Sequence, residues 1–340
     1  MKRISLERLP EFFSALSEKN PLYLPVKSEN GAFFRRWEKG CEAELKENTV
    51  RSAKDFFFPQ TENFARFFID GKKIEVQEVR LPDEPFILFG VRACDVKSFD
   101  VLDRVFLQEP VDTFYRARRE NAVIISLACR EPEETCFCQA FGIDAAEPGG
   151  DIAAWEKDGF LYLDAKTEKG KALLEKEGLE NADGTEAESA KEDIRAILKK
   201  LPLQNLPLDA FQPEKLMEFF SDPRWKELSH SCIGCGTCTF VCPTCQCFDI
   251  RDFDTGHGVQ RFRCWDSCMY RDFSQMAAAN PRLTQLERFR QRFMHKLIYY
   301  PANNDGLFMC VGCGRCLKKC PVHMNIVKVI KTLGGEKNAD

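Results

Sequence analysis

No stretch of this 340-residue chain is apolar for long enough to cross a bilayer. The longest apolar runs, residues 85–91 and 122–129, fall far short of the roughly twenty residues a spanning helix needs. An excess of one charge is also lacking. Lys and Arg number 49 against 53 Asp and Glu, and a net charge of −4 leaves no basic footprint for nucleic acid. Histidine is scarce, with four in all, and none shows catalytic spacing. His230 and His323 flank cysteine-rich loops, His257 sits in a Gly-flanked turn and His295 falls in a helical pattern, so solvated or structural roles are expected. No G-x-G-x-x-G follows any strand pattern, which removes the usual dinucleotide site. Near the start, Glu7, Arg8, Pro10 and Glu11 interrupt any apolar core of a secretory signal, so none is expected.

Cysteine, by contrast, is abundant, with seventeen residues. An odd number, with no targeting segment, points to a reducing cytoplasm and to metal ligation rather than to a disulfide framework. Eight of the seventeen form two copies of one pattern: Cys232-x-x-Cys235-x-x-Cys238-x-x-x-Cys242-Pro243 and Cys310-x-x-Cys313-x-x-Cys316-x-x-x-Cys320-Pro321. Three thiolates spaced in this way wrap one [4Fe-4S] cubane, and the fourth, ahead of proline, ligates the other cluster in two-cluster ferredoxins. The expected sets are therefore Cys232, Cys235, Cys238 and Cys320 for one cluster, and Cys310, Cys313, Cys316 and Cys242 for the other. Gly234, Gly236, Gly312 and Gly314 allow positive φ and close approach of backbone N–H groups to sulfur. A zinc site pairs two C-x-x-C knuckles and has no use for the third evenly spaced cysteine or for Cys-Pro.

Along the rest of the chain, residues 85–91 read as a strand, Arg92-Ala-Cys-Asp95 as a tight turn, and Val96, Phe99, Leu102 and Phe106 as the apolar face of a helix. A second apolar run, 122–129, completes a βαβ unit with parallel strands. A further strand is expected at 159–163 and a helix over 168–179. The small, acidic segment 181–193 reads as a solvated loop merging into a helix start. Pro202, Pro207 and Pro213 punctuate a linker. Residues 213–220 and 224–228 read as helices. The long stretch between Cys242 and Cys310 must carry structure of its own. Within it Thr284-x-x-Glu287 predicts a capping box ahead of a helix with Leu286, Phe289, Phe293, Leu297 and Tyr300 on one face. The expected architecture is thus an α/β domain over 1–205, followed by a mainly α-helical two-cluster ferredoxin-type domain over 206–340.

Nine cysteines remain: Cys41, Cys94, Cys129, Cys136, Cys138, Cys245, Cys247, Cys264 and Cys268. Cys94 and Cys129 end the two neighbouring strands and Cys136-Phe-Cys138 follows closely, so four thiols can converge at the carboxyl edge of a parallel sheet, where such sheets place ligands. Together they would complete a third [4Fe-4S] site; the alternative is a set of buried thiols. At a helix N-terminus, Cys94 is expected to have a lowered pKa. Cys245 and Cys247 must lie near the clusters, and their role, with that of Cys264 and Cys268, is open. Cys41, beside Glu42 and Glu44, reads as an uninvolved thiol, and Lys318 and Lys319 as a solvated face.

Over nearly its whole length the chain resembles the iron-sulfur beta subunit of soluble sulfhydrogenases, which are NAD(P)H-linked nickel-iron hydrogenases, and the corresponding iron-sulfur subunit of anaerobic sulfite reductases. The resemblance is carried by Lys54-Asp-Phe-Phe-Phe-Pro59, Phe89-Gly-Val-Arg-Ala-Cys-Asp95, Leu102-Asp103, Arg118-Arg-Glu120, Cys136-Phe-Cys138, Cys242-Pro-Thr-Cys-Gln-Cys247, Trp265-Asp-Ser-Cys268 and Cys310-Val-Gly-Cys-Gly-Arg-Cys316. The family pattern also has cysteine at the positions of Cys94, Cys129, Cys136, Cys138, Cys245, Cys247 and Cys268, but not of Cys41 or Cys264. After Cys138 this chain continues Gln139-Ala-Phe-Gly142 where the family often has Ser and Gly-rich residues. The resemblance implies a non-catalytic electron-transfer subunit of a cytoplasmic oxidoreductase. It would relay electrons between a flavin- and [2Fe-2S]-containing NAD(P)H diaphorase subunit and a terminal sulfite reductase or hydrogenase subunit. The rival reading is a catalytic thiol or disulfide reductase that uses an extra cysteine or an open cluster site.

Overall fold

The structure, a computed structural model, describes residues 1–175 and 178–335. Among these, twelve strands run in chain order as β1 (Lys2–Ser5), β2 (Leu22–Ser28), β3 (Gly31–Arg36), β4 (Thr61–Asp70), β5 (Lys73–Glu78), β6 (Phe86–Val91), β7 (Ala122–Leu127), β8 (Ile152–Lys157), β9 (Phe160–Ala165), β10 (Glu180–Asn181), β11 (Phe248–Asp254) and β12 (Gly258–Trp265). Eight form a sheet of order β10-β1-β9-β8-β7-β6-β2-β3. Its central strands β8, β7, β6 and β2 are parallel, and both flanks are antiparallel.

The expected βαβ unit is present. In β6, Ile87 to Val91 are buried, as in a strand covered on both faces. Helix Ala93–Phe106 follows and buries Phe99, Val101, Leu102 and Phe106. Helix Thr113–Asn121, capped by the Asp112 carboxylate accepting from the Tyr115 N–H at 2.9 Å, leads back into β7. One sheet face packs on helix Leu9–Ser17 through Phe12, Phe13 and Leu16; the other packs on Phe57, Phe58, Phe99 and Tyr115. The helix expected over 168–179 spans Glu168–Leu174, and residues 176–177 of that expectation lie outside the described residues. The acidic segment turns helical at Thr185, in Thr185–Leu198.

Residues 206–340 depart from expectation, because they are not mainly helical. Between Cys242 and Cys310 stands a β-hairpin, β11-β12, which joins β4 and β5 in a second sheet of order β11-β12-β4-β5. The hairpin's first strand intersperses charged residues with Phe248, Ile250 and Phe253, and its turn is Thr255-Gly-His-Gly258, in which the Thr255 N–H donates to the Gly258 carbonyl at 2.9 Å. This sheet takes strands from both sides of residue 205. Buried Arg263 of β12 pairs with Glu62 of β4 within this sheet and ties the sheet to the rest by an ion pair with Asp112.

The predicted capping box is formed: the Glu287 N–H donates to Thr284 Oγ1 at 3.4 Å, and the Thr284 N–H to Glu287 Oε2 at 2.7 Å. Helix Gln285–Met294 buries Phe289 and Phe293 and continues as a π turn, His295–Tyr299, that buries Leu297. Helix Ile326–Gly334 and Trp225 close this core. Among the described residues, no helix is long and apolar enough to cross a membrane.

Candidate metal centres

Both cysteine motifs fold alike. Gly234 and Gly236 have φ of 69° and 74°, and Gly312 and Gly314 have 59° and 74°, so each pair turns the chain back around its cysteines. Gly236 and Gly314 then cap short helices, Thr237–Phe240 and Arg315–Lys318. Neighbours demand glycine too: a Cβ would strike the Tyr270 ring at Gly236, the Phe137 backbone at Gly312 and Thr135 at Gly314.

Cys232, Cys235, Cys238 and Cys320 line one cavity; Cys242, Cys310, Cys313 and Cys316 line another. These are the two crossed sets. The walls are otherwise largely apolar, with Met269, Phe289 and Phe293 around the first and Phe137, Val311 and Ile326 around the second. Among the described residues, no three His, Cys, Asp or Glu side chains gather closely enough for a single metal ion. Tetrahedral zinc needs four sulfurs about 2.3 Å from one point. Here each thiol set surrounds a space, the arrangement a polynuclear cluster requires, and four cysteines are its usual donor set. Gln285 Nε2 donates to Cys232 Sγ at 3.3 Å, and Thr244 Oγ1 lies 3.2 Å from Cys242 Sγ. Burial pushes the Cys310 thiol up and the Cys313 thiol to about 12. Such thiols hold their protons until a metal displaces them.

The four thiols of the proposed third set also converge. Cys94 and Cys138 share a core with Ala128 and Ala145, against which Cys129 packs. Cys94 acts electrostatically with Cys138, and Cys138 with both Cys129 and Cys136. Burial pushes Cys136 and Cys138 up to about 12. The lowered pKa expected for Cys94 is a correction: burial first, and then Asp95, push it well above the usual thiol value, against the pull of Arg315. Cys313 of the second motif adjoins this group, and the Phe137 N–H donates to the Gly312 carbonyl at 2.8 Å. The second motif thus adjoins the first through Arg292, which lines both cavities, and adjoins the Cys94 group through Cys313.

Of the cysteines left open, Cys245 lies beside Cys242, and Cys247 beside Cys268. Contact with Cys268 holds the Cys247 thiol below the usual thiol value. Cys264 lies apart on β12, opposite Asp249. His295 is pushed down to about 4, by burial first and then by Lys296, and stays neutral, in keeping with a structural role.

A buried ion pair docks the second motif on the α/β unit. Arg315, between Cys313 and Cys316, reaches Asp95 at 2.5 and 2.8 Å, and both side chains are almost fully enclosed. Removing one partner strands the other charge at a cost of about 3–5 kcal/mol. Asp95→Asn should lower the urea midpoint of the holoprotein accordingly, and an unchanged midpoint would contradict this role.

Sequence reasoning overlooked Arg292, which lines both cavities, and Lys296, which lines the second. A signal was there: with Gln285 they recur at helical spacing, seven and then four residues apart, two cations set among the apolar residues of a helix face.

Residues 231–324, which contain all eight motif cysteines, match the family described as a 4Fe-4S dicluster domain. The chain is 34% identical over 338 residues to sulfhydrogenase 2 subunit beta of Pyrococcus furiosus, with 96% of each chain covered. No solved structure matches it. A likeness of that extent, running through both the α/β unit and the cysteine motifs, places the chain in the family of sulfhydrogenase beta subunits.

Proposed function

We propose that this chain is an electron-transfer iron-sulfur subunit of a cytoplasmic oxidoreductase complex. It relays electrons between a flavin- and [2Fe-2S]-containing NAD(P)H diaphorase subunit and a terminal catalytic partner, either a nickel-iron hydrogenase or a sulfite reductase. The observation that carries this reading is the sorting of eight cysteines into two cavities, each taking three from one motif and one from the other. Cys232, Cys235, Cys238 and Cys320 would hold one [4Fe-4S] cluster, Cys310, Cys313, Cys316 and Cys242 a second, and Cys94, Cys129, Cys136 and Cys138 a third. A bound cluster supplies one-electron redox chemistry. The chain's own part is to hold thiolates in place, exclude water with the aromatic walls and bring the centres into series. Residues 1–205 would hold the third centre and dock partners; residues 206–340 would hold the other two.

Nicotinamide delivers two electrons together as hydride, whereas a cubane accepts one, so a flavin must stand between them. Dithionite should therefore bleach the isolated subunit, while NADH or NADPH should leave its visible spectrum unchanged until a flavoprotein partner is added. Bleaching by nicotinamide in a flavin-free sample would replace the relay with a hydride-accepting enzyme.

A second reading, a thiol or disulfide reductase, draws on the Cys247 and Cys268 contact and on the lowered pKa of Cys247. It requires stoichiometric alkylation of Cys247 in the intact holoprotein with the clusters retained. The relay reading expects no such labelling.

A further inference from the structure

Among the described residues, seven Lys or Arg residues are buried. Three of them meet carboxylates: Lys191 with Glu147 and Glu188, Arg263 with Glu62 and Asp112, and Arg315 with Asp95. The other four, Lys54, Arg92, Arg292 and Lys296, have only neutral oxygens as hydrogen-bond partners. Lys54 donates to the Cys245 carbonyl at 2.9 Å, and Arg92 to the carbonyls of Ala128, Leu45 and Lys46. Arg292 donates to the Cys238 carbonyl at 3.3 Å, and Lys296 to Thr244 Oγ1 at 2.9 Å and the Met309 carbonyl at 3.3 Å. Asp55, which acts on Lys54, is itself bridged by Arg51. The Arg292 Nε is buried without a hydrogen-bond partner, its guanidinium over the Phe293 ring at 4.5 Å.

Buried charge is ordinarily paired or neutralised, so four enclosed cations without carboxylates call for another source of negative charge. All four face cysteines. Arg292 lines both motif cavities and Lys296 the second. Lys54 acts on Cys242 and Cys245, and Arg92 acts on Cys129. We infer that these four cations are the counter-charge of the bound iron-sulfur clusters, and that Arg292 and Lys296 raise the reduction potentials of the two motif clusters. The inference rests on the cluster assignment proposed above. Its physical basis is that four thiolates make each cluster anionic and reduction adds a further negative charge. A fixed cation in a low-dielectric wall therefore favours the reduced form more than the oxidised one.

The test is a redox titration of the holoprotein followed by EPR, with iron content measured on each sample. Lys296→Met should make reduction of the second cluster less favourable by about tenfold or more, a negative shift of about 59 mV per tenfold for one electron, and should affect the first cluster less. Arg292→Met should lower both midpoints. Lys296→Arg should keep the wild-type value, as should Lys191→Met, whose cation is paired with carboxylates. Iron lost in Lys296→Met but kept in Lys296→Arg would equally support a charge requirement. Wild-type midpoints in fully loaded Lys296→Met and Arg292→Met would overturn the inference, as would loss of iron in both Lys296 variants. A wild-type protein that binds no clusters would instead refute the assignment beneath it.

Discussion

Cys242→Ala should cost the protein the cluster of the second motif, although Cys242 lies in the first. Its thiol lines the cavity of Cys310, Cys313 and Cys316, while Cys320 completes that of Cys232, Cys235 and Cys238. Iron should fall by about four atoms per chain, one cubane. The signal that survives should be that of the first motif's cluster, without spin coupling to a neighbour. Cys320→Ala should give the converse. In the wild-type protein the exchange of ligands keeps the two sites close, so the fully reduced form should show a spin-coupled EPR spectrum. Loss confined to the first cluster in Cys242→Ala would reverse the ligand assignment, and isolated, non-interacting centres in fully loaded wild type would contradict the crossing. Cys245 lies beside Cys242, so the double variant Cys242→Ala, Cys245→Ala removes replacement of the lost thiol by this neighbour.

Anaerobically prepared protein should contain about twelve iron atoms per chain, three cubanes, and Cys136→Ser with Cys138→Ser should reduce this to about eight. The warrant is local. Cys94 follows β6 and Cys129 follows β7, so parallel pairing of these strands sets both at one sheet edge, and Cys138 and its neighbour Cys136 pack against them from the segment beyond. Burial raises all four thiols, and a buried thiol that stays protonated gains nothing from its neighbours unless a metal replaces the protons. A value near eight in wild type, unchanged by the two serines, would leave a packed set of thiols and no third centre.

Much of the fold was legible in the chain. The run Phe86–Val91 with the helical spacing of Phe99, Leu102 and Phe106 specified a βαβ unit, and Thr284 with Glu287 specified a helix start, because capping and periodicity act over a few residues. The hairpin Phe248–Asp254 and Gly258–Trp265 was missed. Its strands carry many charges on their exposed side, and the partner strand, Thr61–Asp70, lies far away in sequence. Local pattern shows a strand but not which distant edge it completes.

The same division runs through the sites. Spacing alone was enough to group the eight motif cysteines into the two sets that share cavities, because a short loop with glycines at positive φ can surround only one site and the Cys-Pro step carries the last thiol away from it. Only the packed molecule decided that Gly312 and Gly314 also press against Phe137 and Thr135, bringing the second motif beside Cys136 and Cys138. It also decided that Arg292 stands between both cavities, and that Arg315 rather than Arg292 is the one that meets a carboxylate. The reason is electrostatic: the fate of a charged side chain depends on which partners and how much water surround it in three dimensions, and the spacing of residues along the chain carries neither.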